Sequence, residues 1–221
     1  MKSLEAQKTS AAEGIMKKKV LLATNNRGKI ERYKKLIGKT DLDVQFLRLG
    51  DAGIENIEVV EDGNTLVENA LKKAQAFLEK TDLPVLANDT GFYVEGEGFI
   101  IAPKRESLNG GENNNLTEEE IYQKMLQFWK NIAQKHGGEV DAAWVEAFVL
   151  IDKDKKVYTS ESRREVLLTD KILGKPHIQM PIRALYISKT TNKPSVDHSE
   201  EEELLELQPV TDALHSVLSN I

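Results

Sequence analysis

Apolar positions along the chain follow two rhythms. In VLLAT, residues 20–24, both faces of an extended segment are apolar, which is the pattern of a strand buried inside a sheet and often parallel to its neighbours. The rhythm then changes. In GKIERYKKLIG, Ile30, Tyr33 and Ile37 recur at helical spacing with Leu36 beside them, and Gly38 stops the run. VQFLRL, 44–49, is a second strand candidate. TLVENALKKAQAFLEK carries the capping pair Thr65 and Glu68, then Leu66, Ala70, Ala74 and Phe77 along one stripe, which predicts a helix.

PVLAN, 84–88, reads as a short strand that delivers Asp89 at its C-terminal end. Thr90-Gly91 and a strand over FYVEG follow; the plain structural alternative for Asp89 is a turn residue before Gly91. Residues 97–115 are rich in Gly, Asn, Lys and Arg and are expected to form a functional or mobile loop. Thr117 and Glu120 cap a second long helix, with Ile121, Met125, Phe128 and Ile132 on its inner face and His136-Gly137-Gly138 at its end. AAWVEAFVLI, DKDKK and VYTSESRREVLL predict a β-hairpin, and MPIRALYIS one more strand. Ser199 and Glu202 cap a final helix that Pro209 divides in two. Trp129 and Trp144 are expected in the core. Residues 1–15, polar and Ala/Ser/Glu-rich, read as a loose extension, and 16–221 as one domain.

Composition narrows the function classes. With 221 residues, 40% hydrophobic and 30% charged, the chain has the balance of a folded soluble protein. Acidic residues (36) outnumber basic ones (30), so a diffuse basic footprint for nucleic acid is missing, and any anionic ligand must be bound locally. The chain has no cysteine, which excludes thiol catalysis, disulfides and thiolate metal sites. No apolar run approaches the roughly 20 residues that span a bilayer. A cytoplasmic protein is expected, with no membrane partner. Lys17–Lys19 read as a solvated strand entry, and Glu200–Glu203 as carboxylates favoured by a helix dipole.

Candidate chemistry starts at the first strand. Asn25-Asn26-Arg27-Gly28-Lys29 bring free backbone N–H groups, two amides and an ammonium to the start of a helix, which suits phosphate; the segment serves equally well as an ordinary turn. It lacks the spacing of a Walker loop. Glu61, just before a capped helix, and Asp89 are acids able to face the same cleft. A polyphosphate beside them would meet repulsion of roughly 4 kcal/mol per unit pair at about 4 Å and an effective dielectric near 20. A divalent cation with hard oxygen ligands resolves that conflict, and Mg²⁺ is the natural choice. Asn69 reads as a surface or helix-contact residue. The four histidines lack zinc-site spacing, and no nucleophilic-serine elbow occurs.

ATNNRGKIE, EDGNTLVENALKKA and LANDTGFYV, in this order, together with AAWVEAFVLIDKDKKVY, resemble the inosine/xanthosine triphosphate pyrophosphatase family. Members hydrolyse non-standard purine nucleoside triphosphates to the monophosphate and pyrophosphate. The resemblance implies an elongated two-lobed α/β fold, with a central mixed sheet flanked by helices and a cleft between the lobes. It also implies a homodimer. Thr24, Asn26 and Lys29 fall on the family's phosphate motif, with Asn25 and Thr90 as further substrate contacts. Glu61 and Asp89 fall on its metal-associated acids, and Asp89 and Lys29 on its catalytic positions; Asn88 replaces an aspartate. The family's base-pocket motifs have no counterpart in HIQMPIRALYI or LQPVTDALHSVL. That departure keeps open a non-catalytic nucleotide-binding protein, or a pyrophosphatase with a changed base preference.

Overall fold

The computed structural model describes residues 17–55, 57–101, 103–108 and 116–221. The expected extension over 1–15 and the 109–115 part of the polar loop lie outside them. Along the chain run β1 (Lys18–Leu22), α1 (Arg27–Ile37), β2 (Val44–Leu47), α2 (Leu66–Leu78), β3 (Val85–Val94), β4 (Gly98–Ile100), α3 (Pro103–Ser107), α4 (Glu118–Lys135), β5 (Glu139–Ile151) and β6 (Val157–Thr169). After these come β7 (Tyr186–Ser188), β8 (Lys193–Pro194), α5 (Glu200–Glu206) and α6 (Gln208–Leu218).

The strands make one sheet in the order β2-β1-β3-β5-β6-β7-β8, with β4 paired to β3. β1 runs parallel to β2 and β3, and the remaining pairs are antiparallel, so the sheet is mixed as expected. The hairpin of β5 and β6 keeps register from Glu139↔Thr169 to Ile151↔Val157. Its turn is organised by Asp152, whose Oδ1 accepts from the backbone N–H groups of Asp154 (2.8 Å) and Lys156 (2.9 Å), while Lys155 takes a left-handed φ of 64°.

Alternation along the strands gives the sheet two different faces. One packs on α2 through Leu21, Ala70, Ala74, Phe77, Ala87 and Val149. The other carries two separate clusters. The first joins Phe148 and Leu150 to Tyr33 and Leu36 of α1 and Leu214 of α6. The second joins Phe92, Ala142 and Val166 to Trp129 and Ile132 of α4. Glu146 of β5 stands between them, and the cleft opens there.

Several expectations are corrected. The strands expected over 84–88 and from 92 onward are one strand, because β3 stays in register with β5 through Asp89↔Ala147, Thr90↔Glu146 and Gly91↔Val145. Asp89 is therefore mid-strand. Gly91 serves packing rather than a turn: a Cβ there would lie 2.9 Å from Phe99 and 3.3 Å from Leu66. The strand expected over MPIRALYIS opens with a 3₁₀ turn, Pro181–Leu185, because proline cannot donate to a ladder; only Tyr186–Ser188 pair. The buried face of α4 is Leu126, Trp129, Ile132 and Ala133, rotated from the predicted stripe by the bulk of Trp129, so that Ile121, Met125 and Phe128 are half-buried. The expected loop over 97–115 contains β4 and α3. Pro209 does divide the C-terminal helix, into α5 and α6.

Candidate active site

The site is built on a stretch of β3 that pairs with β5 on one edge and, among the described residues, with no strand on the other. β1 pairs with β3 at Leu21↔Val85 and Leu22↔Leu86, and Ala23 N–H still donates to Leu86 O at 2.9 Å. β4 takes up the edge at Phe92↔Ile100. Between these, over 88–91, side chains from both faces of the sheet meet around one edge.

From the cleft face comes the loop after β1. Asn26 caps α1, its Oδ1 accepting from Lys29 N–H at 3.1 Å, and its own N–H donates to Thr24 Oγ1 at 3.1 Å. Asn25 lies exposed between them. With no acid in the first turn of α1, nothing there offsets the positive end of the helix dipole. Lys29 Nζ donates to Asn88 Oδ1 (2.6 Å) and Thr90 Oγ1 (3.2 Å). Burial lowers its pKa from 10.5 to about 8; Glu146 opposes the shift, and the cations Lys73 and Arg32 reinforce it.

From the other face come the acids. Asp89, 5% exposed, accepts through Oδ2 from Asn69 Nδ2 at 3.2 Å and through Oδ1 from Lys73 Nζ at 3.1 Å. The same ammonium is 2.8 Å from Glu61 Oε2. Asn69 is in turn fixed by Gly63 N–H, 2.8 Å from its Oδ1. Only glycine fits at 63, since a Cβ would stand 2.7 Å from that same oxygen and 2.8 Å from Glu68 Cβ. Asn69 is thus a buried orienting residue, correcting its reading as a surface or helix-contact residue: burial beside a carboxylate demands a donor, and its amide supplies one.

Glu61 and Asp89 therefore converge on one cation, beside Thr90, Lys29 and the Asn26 turn. Lys73 is the residue that pattern reading missed. Its signal was present, because Asn69 and Lys73 are four apart and flank the core stripe of α2 on the same side. Among the described residues no three or more His, Cys, Asp or Glu group as metal ligands. Two carboxylates already gathered around a positive charge still suit a hard ion that keeps most of its waters.

From this edge a cleft of about 520 Å³ runs from Asn26, Lys29 and Thr90 to Trp144, Arg164 and Tyr186. Trp144, expected in the core, is only half-buried; it meets Phe92 edge to face at 4.7 Å and lines the cleft, because Glu146 next along that face interrupts the apolar cluster. Glu146 is fully buried and is bridged by Arg32 and by Arg164 (3.4 Å); Arg164 also holds Glu206 at 2.9 Å. A lone acid in AAWVEAFVLI, a strand buried on both faces, was the available signal for this network.

The Ham1 family model matches residues 20–176. The dITP/XTP pyrophosphatase of Haemophilus influenzae is 35% identical over 120 residues, 54% of this chain and 58% of that protein. The dITP/XTP pyrophosphatase of Clostridium perfringens is 29% identical over 167 residues, 71% of this chain and 76% of that protein. The chain thus matches little more than half the length of the first. Among solved structures, a HAM1 protein from Coxiella burnetii has the same fold at a TM-score of 0.71, with 20% identity over 93% of this chain and 100% of that one. With a family model matched over most of its length and the fold of a solved member, the chain belongs to the Ham1 family.

Proposed function

We propose that the protein hydrolyses purine nucleoside triphosphates with non-standard bases, such as ITP, dITP or XTP, to the monophosphate and pyrophosphate. The observation that carries this reading is the meeting of Lys29, Lys73, Glu61 and Asp89 at the uncovered edge of β3. The family and the names of its relatives support the reaction class.

Lys29, Asn26 and the free N–H groups at the start of α1 bind the phosphate tail, with Thr24 holding the loop in shape and Asn25 and Thr90 adding polar contacts. Glu61 and Asp89 would hold a divalent ion, Mg²⁺, which supplies charge neutralisation and polarises the phosphate oxygens. Lys73 keeps the two carboxylates together and shields them from the polyanion. Water adds to the α-phosphorus in line as pyrophosphate leaves, and Asp89, fixed by Asn69 and Lys73, orients that water or takes its proton. The same reading includes a homodimer in the cytoplasm; no described helix is long and apolar enough to cross a membrane.

The test is a panel of standard and deaminated nucleoside triphosphates assayed for pyrophosphate with and without Mg²⁺. Mg²⁺-dependent release from ITP or XTP is expected. Tight binding without turnover would replace the enzyme by a nucleotide-binding protein.

A further inference from the structure

Lys73 brings an ammonium with three N–H groups to a place where three oxygens converge. Its Nζ lies 2.8 Å from Glu61 Oε2 and donates to Asp89 Oδ1 at 3.1 Å and to Asn88 O at 3.4 Å. Two carboxylates and a carbonyl around one positive charge are a set of hard oxygen donors. Charge is balanced there. Glu61 and Asp89 are matched by Lys73 and by Lys29, whose ammonium meets Asn88 Oδ1, while Asp62 is paired with Lys72. Residue 88 contributes a neutral amide, so these side chains carry no surplus negative charge with which to draw a free divalent ion.

An ammonium and a divalent ion repel each other too strongly to share these oxygens. We infer that Lys73 is the resident counter-ion of the free protein, that it yields Glu61 and Asp89 to the divalent ion only when a polyphosphate arrives, and that its ammonium then turns to the phosphate. The inference rests on the phosphate and metal sites proposed above. A polyphosphate at Lys29 arrives beside Asn88, which both ammonium groups touch, so it supplies the missing negative charge and a new partner for Lys73 together. Exchange needs a cation that can leave and an acid that stays aimed. The Lys73 side chain is 16% exposed, and Glu61, in the irregular stretch before α2, is 43% exposed and able to follow. Asp89 keeps its direction, because Asn69 Nδ2 holds its Oδ2 at 3.2 Å and Gly63 N–H holds Asn69, neither bond passing through Lys73. Metal and phosphate binding are thereby coupled, each supplying the charge that the other needs.

The experiment is calorimetric titration of Mg²⁺ alone into the full chain and into Lys73→Gln, Lys73→Arg and Asn88→Asp, with circular dichroism on each, alongside inorganic pyrophosphate titrated into wild type in Mg²⁺. Without phosphate, Lys73→Gln should bind Mg²⁺ at least about tenfold more tightly than wild type, and Asn88→Asp more tightly by a smaller factor. Lys73→Arg should bind it no more tightly than wild type, because arginine keeps the charge. Mg²⁺ affinities within about twofold of one another in wild type, Lys73→Gln and Asn88→Asp overturn the exchange. So does Lys73→Arg binding the ion as tightly as Lys73→Gln, which would mark a loosened site rather than a removed charge. Should Lys73→Gln prove unfolded, Asn88→Asp against wild type decides alone. Failure of pyrophosphate to bind wild type in Mg²⁺ removes the phosphate site itself and with it the trigger, whereas unchanged Mg²⁺ affinities with pyrophosphate binding intact remove the exchange alone.

Discussion

Replacing Lys29 by methionine should make the protein more stable and less able to hold phosphate. Folding moves the ammonium from an ordinary pKa of 10.5 to about 8, with burial as the leading cause. The folded state therefore carries a cost of roughly 3 kcal/mol at pH 7, where both folded and unfolded chains are protonated. Between about pH 8 and 10.5 the folded chain has released the proton while the unfolded chain keeps it, so stability rises with pH across that window. Above it the cost is gone. Methionine retains much of the aliphatic stem without the charge, but Asn88 Oδ1 and Thr90 Oγ1 lose their donor, which offsets roughly 1–2 kcal/mol. The net gain at pH 7 is about 1–2 kcal/mol, or about 5 °C in Tm. Urea denaturation of both proteins from neutral pH to above 10.5 isolates the effect, since other titrations cancel in the difference. The advantage of the variant should shrink with pH and change sign, and pyrophosphate affinity should fall about 10- to 100-fold through loss of a charge-assisted contact. A variant less stable than wild type at pH 7, or a stability difference independent of pH, would refute the assignment of Lys29 as a desolvated cation held ready for an anion.

Asp89→Asn should abolish Mg²⁺-dependent pyrophosphate release while circular dichroism stays unchanged, because the amide is isosteric and its oxygen still accepts from Lys73, the local loss being confined to the Asn69 contact, where NH₂ now faces NH₂; retained activity would reject the role of Asp89. Asn88→Asp places a carboxylate against Lys29 Nζ, so the alkaline limb of the pH–rate profile should move up by about one unit, and an unmoved limb would dissociate that limb from Lys29. Lys73→Met leaves Asp89 buried without its cation and should destabilise the fold by about 3 kcal/mol at pH 7, with added Mg²⁺ restoring part of the loss; differential scanning calorimetry with and without the ion measures both. Gly63→Ala drives a methyl into Asn69 Oδ1 and should lower kcat about tenfold with a smaller change in KM, since Asn69 orients Asp89 rather than touching substrate.

The sequence by itself determined most of the local elements and the capped turn that opens α1. Strand and helix periods, the capping pairs Thr117–Glu120 and Ser199–Glu202 and the Asn26 turn all act within a few residues, and such short-range preferences are written in neighbouring positions. It also singled out Glu61 and Asp89 individually. Only the tertiary structure decided that they meet, because their meeting depends on where β1 stops along β3 and on the turn of α2 that brings Asn69 and Lys73 to that edge. The continuity of β3 through Asp89-Thr90-Gly91 was likewise settled by register with β5, outweighing the turn reading of Asp89 before Gly91. The bridges of Glu146 to Arg32 and Arg164 join residues 114 and 18 positions apart. Buried charges are compensated through space, and sequence spacing holds no record of which distant partner the fold supplies.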